Sequence, residues 1–114
     1  MMASSLGVSN LIAFIDNNDF QSLGRTSVTH PSFYPVVEKY TAFGWESVQV
    51  DGHDSAAICA AVAGRMGKRP MMVVCKTTKG RGVSYMEDVP IWHYRSPSPD
   101  EYKQALKELE KALA

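Results

Sequence analysis

Asn10-Leu-Ile-Ala-Phe-Ile15, running directly into Asp16-Asn-Asn18, is the stretch on which the fold turns. Residues 11–15 are apolar almost without interruption, which suits a parallel β-strand covered on both faces. Three short oxygen-bearing side chains follow at once. Open parallel sheets bind ligands just beyond the carboxyl ends of their strands, so Asn18 stands where a hard cation or a diphosphate is expected. Asn and Asp also dominate ordinary turns, because they hydrogen-bond their own backbone and tolerate left-handed φ. On this stretch alone a turn is the commoner role, and both readings stay open.

Toward the N-terminus, Met1-Met-Ala-Ser-Ser-Leu6 with Gly7 reads as the end of a helix and its glycine cap, yet no helix start precedes it. A segment upstream is therefore expected to be missing. Residues 16–34 carry neither helical nor strand periodicity, and so long a loop is uncommon unless it is functional. Pro35 then opens a helix with Val36, Val37, Tyr40 and Phe43 on one face and Gly44 to end it. A strand at residues 47–50 leads through Asp51-Gly-His-Asp54 into a helix over residues 55–63, with Asp54 as N-cap and Ile58, Ala61 and Val62 facing inward. Residues 71–75, Met-Met-Val-Val-Cys, read as a third buried strand that runs into Lys76-Thr-Thr-Lys-Gly-Arg-Gly82. Ser98-Pro-Asp-Glu101 is a capping box with proline at the first helical position, and Tyr102, Leu106, Leu109 and Leu113 repeat at helical spacing behind it. The order β-α-β-α-β predicts an α/β fold with three parallel strands, helices flanking the sheet and a C-terminal helix. Asn18 and Lys79 then share one rim. Residues 11–15 and 71–75 are too apolar for a sheet edge facing water, so an exposed apolar patch is expected beside them.

The chain has 114 residues, enough for one domain at most. Twelve basic residues balance twelve acidic ones, which gives no argument for nucleic acid or an acidic membrane surface as partner. A small molecule or another protein chain fits better. No stretch approaches the roughly 20 apolar residues of a membrane helix, and residues 1–6 lack the marks of a signal peptide. Cys59 and Cys75 lie in apolar neighbourhoods without metal-ligand spacing, so both read as reduced core residues of a cytoplasmic protein.

Among residues that could carry chemistry, Asn18 offers a carbonyl oxygen and Phe20 a main-chain carbonyl, a plausible share of the six oxygens that magnesium takes. Lys79-Gly-Arg-Gly82 sets cations between glycines, which lets backbone and ammonium approach an anion together. His93, inside Ile91-Trp-His-Tyr94, either acts on a phosphate or carbonyl oxygen or packs beside Trp92 with its hydrogen bonds satisfied. His53 reads as a turn residue. His30, before Pro31, suggests no role.

Asn10-Leu-Ile-Ala-Phe-Ile-Asp-Asn-Asn18, Ala42-Phe-Gly-Trp45 with Val50-Asp-Gly-His-Asp54, Lys76-Thr-Thr-Lys-Gly-Arg-Gly82 and Trp92-His93 occur in the order and spacing of transketolases. Nearly the whole chain resembles the second half of their thiamine-diphosphate-binding domain, particularly that of the split, two-subunit enzymes. The resemblance implies that Asn18 gives its side-chain oxygen, and Phe20 its main-chain carbonyl, to a magnesium ion bridging the cofactor diphosphate. Lys79 matches a lysine near the diphosphate, His93 matches a histidine that contacts the diphosphate and helps bind substrate, and Gln21, with Ser22, falls on the loop lining the thiazolium. The family's Gly-Asp-Gly motif, whose aspartate also ligates magnesium, lies upstream of where this sequence begins.

On this resemblance, residues 1–114 form a partial thiamine-diphosphate-binding domain of a cytoplasmic transketolase-type enzyme. The parent reaction moves a two-carbon ketol unit from a ketose to an aldose, with sugars or sugar phosphates as substrates. A pyrimidine-binding subunit or domain is the implied partner, in a complete enzyme that is oligomeric, and the isolated chain is expected to be inactive. Tyr94-Arg95-Ser96-Pro97 replaces the glycine common after the histidine, so an altered acceptor site is expected. The rival expectation is a non-catalytic remnant that docks on, or regulates, a partner transketolase subunit.

Overall fold

The structure, a computed structural model, describes residues 1–113, and the Leu113 side chain and Ala114 lie outside the described residues. The chain forms two compact units, Met1–Asn17 with His30–Thr77, and Asn18–Thr29 with the segment from Thr78 onward.

The first unit is built on β1 (Ile12–Asn17), β4 (Glu46–Asp51) and β5 (Met71–Lys76). The three strands are parallel, as the β-α-β-α-β order predicts, and lie in the order β1-β5-β4. The last strand in sequence is thus the central one, which accounts for its composition: a strand covered on both faces and both edges has no place for a polar residue. Val73 and Val74 are fully buried, and Met71, Met72 and Cys75 nearly so. Because side chains alternate along a strand, β5 feeds two cores. Met72 and Val74 pack with Val36 and Trp45, flanked by Val37 and Tyr40 of α3 (Val36–Ala42). Met71, Val73 and Cys75 pack with Val48, Val50 and the Ile58, Ala61 and Val62 face of α4 (Ser55–Ala63).

Asp54 caps α4 by accepting from Ala57 N at 3.0 Å. The short α1 (Met2–Ser5) ends before Gly7, which has φ +64° as a glycine cap requires. Four expectations need correction in this unit. Asp16 and Asn17 belong to β1, whose pairing with β5 continues to Asn17–Lys76, so the loop begins only at Asn18. Phe43 is exposed, because α3 stops at Ala42 and Phe43 already has non-helical backbone. Cys59 is exposed, since it follows Ile58 by one position and so turns off the inward face of α4, whereas Cys75 is buried. The expected apolar patch does not include β5, which is covered: the exposed residues are Phe14 in the outer strand β1 and Leu11 just before it.

In the second unit residues 18–29 are not structureless. They form a small hairpin, β2 (Phe20–Gln21) with β3 (Gly24–Arg25), and one helical turn, α2 (Thr26–Thr29). No periodicity announces elements this short. After β5 the chain makes a tight loop in which Gly80 has φ +74° and a Cβ there would meet the Met86 carbonyl oxygen at 2.5 Å. A 3-10 turn, Pro90–His93, precedes α5 (Pro99–Leu113). The capping box is formed: Ser98 N donates to Glu101 Oε2 at 2.7 Å and Glu101 N to Ser98 Oγ at 3.3 Å. No helix among the described residues is long and apolar enough to cross a membrane.

Val73 and Phe14 make a direct test of this layering, since both are apolar residues paired in register on adjoining strands. Val73→Ala is expected to cost about 2 kcal/mol in urea unfolding through the cavity it leaves. Phe14→Ala is expected to cost less than Val73→Ala and to reduce self-association in sedimentation, because about half of its surface is already in water.

Candidate functional site

The chain leaves β1 at Asn17 and β5 at Lys76, which are paired in register at the carboxyl ends of two parallel strands. Asn18 and Thr78 begin the two segments of the second unit from those ends. Asn18, Phe20, Gln21, Lys79 and His93 all lie in that unit.

Asn18 is half-buried, and its Oδ1 accepts from Phe20 N at 2.8 Å. The turn reading of this asparagine is therefore realised. It does not displace the ligand reading, because an amide oxygen has two lone pairs and one remains. Thr26 N donates to Asp19 O at 2.8 Å. In an antiparallel pair hydrogen-bonded and non-hydrogen-bonded positions alternate, so Phe20 opposite Arg25 is a non-hydrogen-bonded position with its carbonyl turned away from β3. Two neutral oxygens two residues apart are thus held with acceptor capacity to spare. Among the described residues no three His, Cys, Asp or Glu side chains converge on a possible metal site. A cation here would take neutral oxygens from this loop, which suits magnesium, and draw charge from elsewhere. Gln21 is exposed at the tip of the same hairpin.

Lys79 is half-buried in the loop after β5, and its carbonyl accepts from Asp88 N at 2.9 Å, which closes the loop. His93 ends the 3-10 turn and is exposed, its ring edge-on to Tyr94 with centroids 4.8 Å apart. The packed alternative for His93 fails, because Trp92 is occupied elsewhere. Trp92 Nε1 donates to the Tyr85 carbonyl at 2.9 Å, its ring tilts against Tyr85 and the Arg95 guanidinium lies over it at 4.1 Å. Arg95 also pairs with Glu101, and Tyr85 Oη donates to the Glu101 carbonyl at 2.7 Å. The turn bearing His93 is thereby clamped to the start of α5. Arg95 is engaged in this clamp, so of the two residues expected to reshape an acceptor site Tyr94, 62% exposed, is the one left outside it. His53 serves its turn, donating from its main chain to Asp51 Oδ1 at 2.9 Å.

Sequence reading missed the residues that hold these loops. Asp19 accepts from Ser27 N and Ser27 Oγ, both at 2.8 Å, and Glu108 accepts from Ser84 N, Ser84 Oγ and Gln104. The only available signal was Asp19 itself, a residue type that tolerates the left-handed φ of +61° found there.

The model of the transketolase thiamine diphosphate binding domain matches residues 1–109. The chain is 31% identical, over 99% of its own length, to an apulose-4-phosphate transketolase subunit of Phocaeicola vulgatus. It is 36% identical, over 97% of its length, to a 6-deoxy-6-sulfo-D-fructose transketolase subunit of a Clostridium species. It spans 41% of the length of each of these two relatives. A crystal structure of transketolase from Campylobacter jejuni superposes with a TM-score of 0.79 over 96% of this chain and 17% of that one, at 21% identity, a likeness of fold.

The carboxylates anchoring α5 give a pH signature. Ser98 N and then Arg95 hold the Glu101 carboxyl below its ordinary value of 4.5, and Gln104 and then Ser84 do the same for Glu108. A depressed folded value stabilises the folded form above the unfolded value, and that contribution is lost as pH falls through the folded one. Circular dichroism should therefore register loss of α5 only below about pH 4.5. Glu101→Gln should show weaker helix signal at neutral pH and a flatter acid profile.

Proposed function

The chain belongs to the transketolase family, whose thiamine diphosphate binding domain matches residues 1–109, and from that premise we propose that residues 1–114 are a partial cofactor-binding domain of a transketolase-type enzyme. The family's Gly-Asp-Gly half and a pyrimidine-binding subunit or domain complete the site in this reading. Thiamine diphosphate, when bound, supplies the carbon nucleophile and electron sink for moving a two-carbon ketol unit from a ketose to an aldose.

The chain's own residues divide the remaining work. Asn18 Oδ1 and the Phe20 carbonyl would hold magnesium with two oxygens, and the ion would supply positive charge for the diphosphate. The observation carrying this assignment is the 2.8 Å bond from Phe20 N to Asn18 Oδ1, which holds the Asn18 oxygen in the same turn as Phe20. The Lys79 ammonium compensates diphosphate charge, and Gln21 lines the thiazolium side. His93 presents an exposed imidazole on a clamped turn, able to donate to a phosphate or a sugar oxygen. Tyr94 beside it shapes the acceptor side, and the substrates are sugars or sugar phosphates. Two relatives are named as transketolase subunits, which supports a separate partner chain here. A cytoplasmic location belongs to the same reading and agrees with two free cysteines.

A non-catalytic docking role has one observation in its favour, the exposed Phe14 of the outer strand β1 and Leu11 just before it. Calorimetry separates the two readings. The isolated chain should bind thiamine diphosphate with magnesium only weakly, because two neutral oxygens are a third of the shell. Joined to a Gly-Asp-Gly half and a pyrimidine-binding subunit it should bind and turn over. In that assembly Asn18→Ala is expected to weaken magnesium-dependent cofactor binding by about tenfold, a lost charge-assisted contact. His93→Ala should lower kcat by about a hundredfold with little change in cofactor affinity. An assembly that binds its partner but turns nothing over favours the docking role.

A further inference from the structure

Asp19 stands between the two candidate oxygen donors, and its backbone is left-handed, with φ +61°. That conformation is uncommon for any residue but glycine, so something must hold it. Its carbonyl accepts from Thr26 N at 2.8 Å. Its Oδ1 accepts from Ser27 N at 2.8 Å, and its Oδ2 from Ser27 Oγ at 2.8 Å, with Arg25 Nη1 at 3.5 Å. The Arg25 guanidinium in turn lies over the Phe20 ring, 4.6 Å from its centroid. Strands β2 and β3 have two residues each, too few for a hairpin to persist by pairing alone. Contacts from Asp19 close it.

The conformation of Asp19 sets both donors. Rotating residue 19 out of the left-handed region turns the Asp19–Phe20 peptide, which takes Phe20 N away from Asn18 Oδ1 and carries the following Phe20–Gln21 peptide, with the Phe20 carbonyl, to a new position. A carboxylate beside a cation site invites a second reading, that Asp19 is itself a ligand. Both of its oxygens, however, are engaged by Ser27, and the Arg25 guanidinium already sits 3.5 Å from Oδ2, a positive charge that opposes a second cation on the same carboxylate. We propose that Asp19 is a positioning residue for the cation site: its latch to Ser27 and Arg25 holds the Asn18 oxygen and the Phe20 carbonyl in place, and its carboxylate is not a ligand. This inference rests on the assignment of Asn18 and Phe20 as oxygen donors.

The test uses the full chain with thiamine diphosphate and manganese(II), a paramagnetic stand-in for magnesium whose weak binding broadens nearby amide resonances. Hydrogen exchange at Phe20, Thr26 and Ser27 reports the latch, and exchange at Val73 reports the fold. Asp19→Gly frees the carboxylate contacts while accommodating positive φ, and Asp19→Asn keeps an oxygen acceptor but removes the charge. With Asp19→Gly, exchange at the three loop amides is expected to rise about tenfold with Val73 unchanged, and broadening at Asn18 and Phe20 to fall severalfold. Ser27→Ala should move both readouts in the same direction, and Asp19→Asn should restore most of the native broadening. Asp19→Asn losing as much broadening as Asp19→Gly, with its loop amides still protected, overturns the inference and makes the carboxylate a ligand. Native broadening in both Asp19→Gly and Ser27→Ala, with Asn18→Ala abolishing it, also overturns the inference while leaving the donor assignment standing. Broadening absent from the native loop, or indifferent to Asn18→Ala, overturns the donor assignment, and the inference with it.

Discussion

The burial of β5 on both faces and both edges is the constraint on which the first unit depends. A strand with Val73 and Val74 fully buried can sit only between two others, and the parallel order follows from the helices that return the chain to the same end of the sheet. Alternation along that one strand then divides the core into an α3 side and an α4 side. It also brings the carboxyl ends of β1 and β5 together, which is where the chain departs into both segments of the second unit.

Most of this scaffold was legible because it rests on long apolar runs and on capping chemistry. Residues 71–75 announced a buried strand, Asp54 and the Ser98–Glu101 box announced helix starts, and all three behave as their side chains require. Strand order was not legible, since nothing in a list of apolar residues says which strand takes the middle. Cys59 was misjudged because apolar neighbours in sequence are not neighbours on a helix surface: Ile58 packs and the next position does not.

The loops were read in outline only. Asn18 was visible as a ligand or a turn residue, and the structure makes it a turn residue that keeps an acceptor lone pair. The hairpin behind it was invisible, because two-residue strands have no period. Its latch joins Asp19 to Ser27, eight residues apart, a spacing no local rule anticipates. His93 is ambiguous in sequence for the same reason: Trp92 beside it packs with Arg95 and Tyr85, contacts set by folding of the segment rather than by adjacency, and His93 is exposed. In the proposed reading, neutral oxygens on the Asn18 loop and the cationic loop at Lys79 would serve a magnesium diphosphate together.

The most direct measurement of the central claim is anomalous diffraction from crystals of this chain soaked with manganese(II) and thiamine diphosphate. A manganese peak is expected at direct coordination distance from Asn18 Oδ1 and the Phe20 carbonyl, with the Asp19 carboxylate still on Ser27. A peak on the carboxylates of Asp16 or Asp19, with Asn18 Oδ1 left to its turn, would contradict it.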